Sequence, residues 1–286
     1  MSKFGISVAL LTPVEETGAI DLAALAAHAM KMMQSGVAGV TLFGTTGEGA
    51  SMDGASRAAG VKALLEAGIP AEKVTLGICE TAAQDAANEI ESASRLGITQ
   101  FLLMPPCYFK NCADDGLFDW HMQLLNATPS SAKIILYHIP QVSGVGLSVP
   151  LVGRLAAAAP ERIIAIKDSS GSWANAEALL KQGALPVLIG DERLMHRAVP
   201  LGASGAICGM ANLYPERMIR LFETGEEDKA LSDEVTEIVS VPVVPALKAI
   251  LAERSGEPGW NRLRAPLTPL SATDRAKVLA AVAEVA

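Results

Sequence analysis

Short apolar, β-rich runs recur along this chain at intervals of roughly 30 residues, each followed by a longer stretch of helical period. The runs are "FGISVAL" (4–10), "GVTLFG" (39–44), "KVTLGIC" (73–79), "QFLLMP" (100–105), "KIILYHI" (133–139), "RIIAIK" (162–167), "PVLIGD" (186–191) and "SGAICG" (204–209). Between them, segments such as "LAALAAHAMKMMQSG" and "TAAQDAANEIESASRLG" place apolar residues at i, i+3, i+4 and i+7, and several end in a capping glycine. The runs are apolar on both faces, which suits a parallel sheet covered by helices. Eight such units predict a (β/α)8 (TIM) barrel. A doubly wound open sheet is the rival, and the strand count and even spacing favour the barrel. Helical sequence continues beyond the eighth unit in "DEVTEIVS", "VPALKAILAER" and "SATDRAKVLAAVAEVA", the last opened by a capping box from Ser271 to Asp274. The expected organisation is a barrel over 1–222 and a helical extension over 223–286, packed on the barrel because no low-complexity linker separates them.

Bulk properties exclude several functions. Half of the 286 residues are apolar and 19% are charged, the balance of a soluble globular protein. A net charge of -8 without a lysine or arginine run gives nucleic-acid binding no electrostatic support. The opening "MSKFGISVALLTPVEE" is too short an apolar stretch for a membrane span and lacks the pattern of a signal peptide, so a cytoplasmic protein without membrane partners is expected. Cys79, Cys107, Cys112 and Cys208 form no C-x-x-C pair and lie far from any histidine cluster, which argues against structural zinc and against a disulfide framework.

In such a barrel, chemistry gathers at the C-terminal ends of the strands. Those ends carry Thr45 and Thr46 after the second run, Glu80 after the third, Tyr137 in the fifth, Lys167 ending the sixth, Asp191 after the seventh, and Cys208 with Gly209 ending the eighth. "GTTGEGAS" (44–51) nearly fits a phosphate-binding loop, but Ala50 stands where the lysine belongs and Glu48 adds a negative charge. A smaller, less charged anion suits it better. Lys167 in "RIIAIKDSSG" ends an apolar strand, where burying an ammonium is costly and a neutral amine can attack a carbonyl. The plainer alternative is a strand-end lysine that reaches water. Tyr137 in "ILYHIP" is placed to relay protons for a carbinolamine, or simply to pack its ring and keep its hydroxyl wet.

"GTTGE", "YHIP…SG" and "IKDSSG", with "GDE" and a terminal "RAPLTPL", resemble the dihydrodipicolinate synthase / N-acetylneuraminate lyase family, in order and spacing, over essentially the whole chain. The resemblance implies a (β/α)8 barrel with a helical extension, working as a class I aldolase, lyase or dehydratase through a Schiff base with pyruvate or another 2-oxo acid. It assigns the Schiff base to Lys167, the proton relay to Tyr137 with Thr45, and the carboxylate of the 2-oxo acid to Thr46, with Gly47 beside it. The small anion awaited by the glycine loop is then a carboxylate, and Glu48 faces away from it. The iminium withdraws electrons from the adjacent carbon, so a C3–C4 bond forms or breaks without a free carbanion. No metal or organic cofactor is required.

Departures from the family pattern narrow the substrate. The lysine-biosynthetic branch carries an arginine two residues after the proline of Y-x-x-P to hold a distal carboxylate; here that residue is Val142. The tyrosine lent by a neighbouring subunit aligns with Phe109, with Tyr108 one residue early. Both changes argue against dihydrodipicolinate synthesis. Asp191 and Glu192 occupy positions that contact sugar hydroxyls in the sialic-acid lyases, but Gly209 replaces their serine. A shorter 2-keto-3-deoxy or other 4-hydroxy-2-oxo acid is expected instead. Glu80 has two readings, a group that meets the substrate at the mouth or a carboxylate at the start of the third helix. Lys110 offers a cation in place of the missing arginine, or a solvated loop lysine. His138 either lines the pocket or packs on the next loop.

The leading expectation is a Schiff-base lyase or aldolase with pyruvate as product or donor. A dehydratase using the same lysine and a non-catalytic 2-oxo acid sensor are the alternatives, and a nucleotide-binding reading ranks last. The resemblance implies a homodimer or homotetramer.

Overall fold

The computed structural model describes residues 3–283. Eight parallel strands close into a barrel in sequence order: β1 (Gly5–Ala9), β2 (Gly39–Leu42), β3 (Val74–Ile78), β4 (Gln100–Leu103), β5 (Lys133–His138), β6 (Ile163–Asp168), β7 (Val187–Ile189) and β8 (Gly205–Cys208). β1 pairs with both β2 and β8, so no edge is left open and the open-sheet rival is excluded. Seven strands fall within the apolar runs that predict them, and β6 extends one residue beyond its run, to Asp168.

The helices that follow the strands are α1 (Leu22–Gln34), α2 (Gly54–Glu66), α3 (Ala83–Arg95), α4 (Asp114–Asn126), α5 (Val149–Ala158), α6 (Trp173–Gln182), the short α7 (Met195–Ala198) and α8 (Pro215–Thr224). Aspartate and serine start several of them: Asp21, Asp53, Ser148 and Ser172 each accept a first-turn backbone N–H. α8 runs across the division expected between residues 222 and 223 and packs on β1 as the eighth helix of the barrel.

Alternation along the strands sorts the core into two layers. Ala9, Leu102, Ile135, Ala165, Leu188 and Ile207 form a cluster of their own within the barrel, out of phase with the residues beneath the helices. Ser7 Oγ and Thr41 Oγ1 share a hydrogen bond of 2.9 Å between β1 and β2, and both are buried.

The extension comprises α9 (Lys229–Val239), α10 (Val243–Ser255) and α11 (Ala272–Ala283). α11 starts where the capping box predicts, with Ser271 Oγ accepting the Asp274 N–H at 3.0 Å. From Val244 to Ala252 every residue of α10 is buried, as expected of a helix that is enclosed on all sides. Trp260 seals the far side, its ring edge-on to His28 of α1 at 5.0 Å between centroids. Among the described residues no single helix is long and apolar enough to cross a membrane.

Candidate active site

β5 and β6 set the central geometry. Their register places Tyr137 directly beside Lys167, and in parallel neighbours such a pair points the same way. Lys167 Nζ donates to Tyr137 Oη at 3.4 Å and lies 4.4 Å from the ring centroid. Tyr137 Oη is in turn 3.2 Å from Thr45 Oγ1. Lysine and tyrosine are only 5% and 4% exposed. An amine, a phenol and an alcohol thus form one hydrogen-bonded line, a chain along which protons can pass to and from a group bound at the amine.

The loop after β2 brings Thr45 into this line. Phe43 and Glu48 both take the left-handed conformation, with φ of 56° and 57°. Glu48 N–H donates to Thr45 carbonyl at 3.1 Å, and Gly49 N–H to Gly44 carbonyl at the same distance. Gly49 is required by contact: a Cβ there would lie 1.8 Å from the Phe43 carbonyl oxygen. The strain of this turn is held by an ion pair behind it. Glu48 accepts from Lys248 of α10 and, at 2.7 Å, from the Arg264 N–H, while Lys248 Nζ also donates to the Arg262 carbonyl at 2.7 Å. The Glu48 and Lys248 side chains are fully buried, and the glutamate faces away from the amine.

A cavity of about 340 Å³ opens above the line. Thr45, Thr46, Tyr137, Val142, Lys167, Asp191 and Gly209 all border it, so most of the residues expected at the mouth meet there. Asp191 is not free: its two oxygens accept from Arg193 Nε and Nη2 at 2.9 and 2.7 Å. Glu192 is buried and accepts the Met210 N–H at 2.9 Å. Burial pushes its carboxyl up to about 7, with the nearby Lys167 opposing the rise.

Other expected residues stand elsewhere. Cys208 is wholly buried and belongs to the layer beneath the helices; Ile207, one residue earlier, borders the cavity instead. The period of two decides this, because Gly209 points inward and its neighbour cannot. Glu80 does not border this cavity; it stands at the start of α3, two residues before Ala82, with its Oε2 accepting the Cys79 N–H at 3.0 Å. It borders a separate cleft of about 310 Å³ beside α2 and α3, together with Arg57 and Glu89, and the residue before α3 is Ala82, which makes no side-chain cap. There Arg57 pairs with Glu89 and donates to the carbonyls of Gly49, at 2.9 Å, and Gly77. Gly47 does not border the cavity; it is packed 2.9 Å from the Leu10 carbonyl oxygen, measured from an added Cβ, and its own carbonyl accepts from Thr12 Oγ1 at 2.8 Å. Lys110 donates to the carbonyls of Cys107 and, at 2.6 Å, Ser143. His138 Nδ1 accepts the Leu147 N–H at 3.0 Å, so it packs on the next loop.

Sequence reasoning missed Asn212. Its Oδ1 accepts from Leu11 N–H and His28 Nε2 at 3.0 and 2.9 Å, and its Nδ2 donates to the carbonyls of Ala9 and Gly209 at 2.7 and 2.8 Å. It ties the ends of β1 and β8 together below the cavity. Nothing in "GMANLYPE" distinguishes it from a loop asparagine.

Comparison with known proteins agrees with this architecture. A match to the dihydrodipicolinate synthetase family spans residues 2–285. A Chloroflexus aurantiacus protein described as an uncharacterized DapA-like lyase is 32% identical over 97% of this chain and 95% of its own. A 4-hydroxy-tetrahydrodipicolinate synthase of Porphyromonas gingivalis is 30% identical with the same coverage. The crystal structure of a dihydrodipicolinate synthase from Agrobacterium tumefaciens superposes with a TM-score of 0.96 at 41% identity, covering 99% of both chains. Escherichia coli YagE, solved in complex with pyruvate, shares the fold with a TM-score of 0.86 at 21% identity and 98% coverage of each chain. With the barrel closed, the extension in place and the match running from end to end, this chain belongs to the dihydrodipicolinate synthetase family of class I Schiff-base lyases.

Proposed function

We propose that Lys167 condenses with pyruvate or a larger 2-oxo acid, and that the enzyme makes or breaks the C3–C4 bond of a 4-hydroxy-2-oxo acid, of which the 2-keto-3-deoxy acids are one class. The line from Lys167 through Tyr137 to Thr45, at 3.4 and 3.2 Å, carries this reading. In it the amine attacks the ketone, Tyr137 passes a proton to the departing carbinolamine oxygen, and water leaves. Thr46, bordering the same cavity, receives the carboxylate. The pyruvate complex of YagE, a protein of the same fold, is consistent with pyruvate as the small partner.

Several relatives are named 4-hydroxy-tetrahydrodipicolinate synthase, the branch in which the family resemblance implies an arginine on the aldehyde's distal carboxylate. Val142 gives that carboxylate no counter-ion, and Arg193 is engaged by Asp191. The synthase reaction is therefore disfavoured. A dehydratase acting through the same lysine is the second reading, favoured by Glu192, whose buried carboxyl titrates near neutrality and would serve as an acid. The protein works in the cytosol as a homodimer or homotetramer, with the exposed Tyr108 and Phe109 free to meet a neighbouring subunit. Barrel and extension act as one catalytic unit.

Incubation with pyruvate and borohydride, followed by peptide mapping, tests the proposal. A reduced adduct on the Lys167 peptide, absent in Lys167→Ala, is expected; Tyr137→Phe should form it about 100-fold more slowly or worse. An adduct on another lysine, or none with any 2-oxo acid, would sink the mechanism.

A further inference from the structure

The cavity above Lys167 has two unlike sides. One is polar: the line of Thr45, Tyr137 and Lys167 with Thr46, continued by Gln141, Ser169, Ser170, Asp191 and Glu192 after β5, β6 and β7. The other is a wall of Val142 after β5, Val235, Ile238 and Val239 of α9, and Val243 and Leu247 of α10. None of these six side chains donates or accepts a hydrogen bond. Val142, Val239 and Val243 are still 55%, 42% and 38% exposed, so the wall has apolar surface left to cover at the cavity rim.

The neighbouring cations are already committed. Arg193 holds Asp191 through two hydrogen bonds, Lys110 is spent on two backbone carbonyls, and Lys167 is consumed by the Schiff base. A carboxylate laid against these six residues would lose water without gaining a counter-ion, and a polyol's hydroxyls would be paired only where they turn to the polar side. An alkyl or aryl group would instead remove apolar surface from water on both sides.

Resting on the Schiff-base reading, we propose that the substituent at C4 of the substrate is uncharged and mainly apolar. In the bond-forming direction the partner of pyruvate is then an alkyl or aryl aldehyde. The enamine C3 forms a bond to the aldehyde carbon, the aldehyde oxygen takes a proton and becomes the 4-hydroxyl, and water releases the 2-oxo acid from Lys167. The extension, which supplies five of the six wall residues, thus sets the specificity of a reaction whose chemistry the barrel carries.

The experiment is aldol addition of pyruvate to three aldehydes: isobutyraldehyde, glyceraldehyde and succinic semialdehyde, with kcat/KM read from product mass. Isobutyraldehyde should exceed each of the others by about tenfold or more. Val239→Ser, at an exposed position, should lower the isobutyraldehyde value several-fold while pyruvate is still trapped on Lys167. Equal use of the three, or preference for the polyol or the acid, overturns the inference. So does a pyruvate adduct with no aldehyde accepted, which would leave the Schiff-base reading standing. Absence of the adduct overturns both.

Discussion

Two glycine loops with buried glutamates flank the mouth of this barrel, and they use the same side chain for opposite ends. Glu48, after β2, is turned from the cavity onto Lys248, with the Arg264 N–H completing its hydrogen bonds. Glu192, after β7, borders the cavity, accepts one backbone N–H, and has Lys167 as a neighbour rather than as a partner. Both residues are under 8% exposed. Burial alone therefore says nothing about role. A buried carboxylate that meets its own cation fixes structure; one that lacks it is pushed towards its neutral form and becomes available to titrate.

Removing the cation from the first loop is the strongest way to break the contrast. Lys248→Ala leaves Glu48 buried and uncompensated, and should cost about 3–5 kcal/mol in urea unfolding. Pairing Glu48→Gln with Lys248→Met should recover most of that loss. If the single variant costs under about 1 kcal/mol, the clamp is not holding the loop.

The second loop should respond to pH instead. The Glu192 carboxyl is raised in the folded protein from 4.5 to about 7 by burial. As pH rises from about 4.5 to about 7 the unfolded chain releases its proton first, so stability falls across that window and the deficit persists above it. Glu192→Gln keeps an acceptor for the Met210 N–H. It should flatten this part of the stability curve and gain up to about 3 kcal/mol over the wild type at pH 8. Parallel curves for the two proteins between pH 5 and 8 would contradict an elevated Glu192.

The smallest effect is expected at Asp191. Its pair with Arg193 is partly exposed, with side chains 13% and 32% accessible, and Asp191→Asn should change stability by no more than about 1 kcal/mol. It also frees a cation at the cavity, so use of succinic semialdehyde should rise several-fold. An unchanged aldehyde preference would mean that Arg193 does not face the bound substrate.

The contrast between the loops was only half legible beforehand. That Glu48 faces away follows from an anion site that a second negative charge would spoil. Its partner Lys248 is 200 residues away inside "VPALKAILAER", where one lysine in an apolar helix reads as a solvated side chain. Glu80 illustrates the opposite failure. A carboxylate just past a barrel strand looks like a mouth residue, but Glu80 turns back onto the Cys79 N–H and borders the cleft of Arg57 and Glu89 between α2 and α3. Cys208 was decidable from parity once Lys167 and Gly209 were set inward.

The sequence by itself determined the eight strands, the closed parallel sheet expected from them, the helical extension, and the lysine, tyrosine and threonine that meet at one end. These follow from local periodicity and from strand ends, which a linear pattern encodes. Tertiary structure alone decided which charges neutralise one another, that Asn212 ties β1 to β8, and that α9 and α10 wall the cavity with valine, isoleucine and leucine. Those outcomes depend on the distance between residues far apart in the chain, and pattern in one dimension carries no such distance.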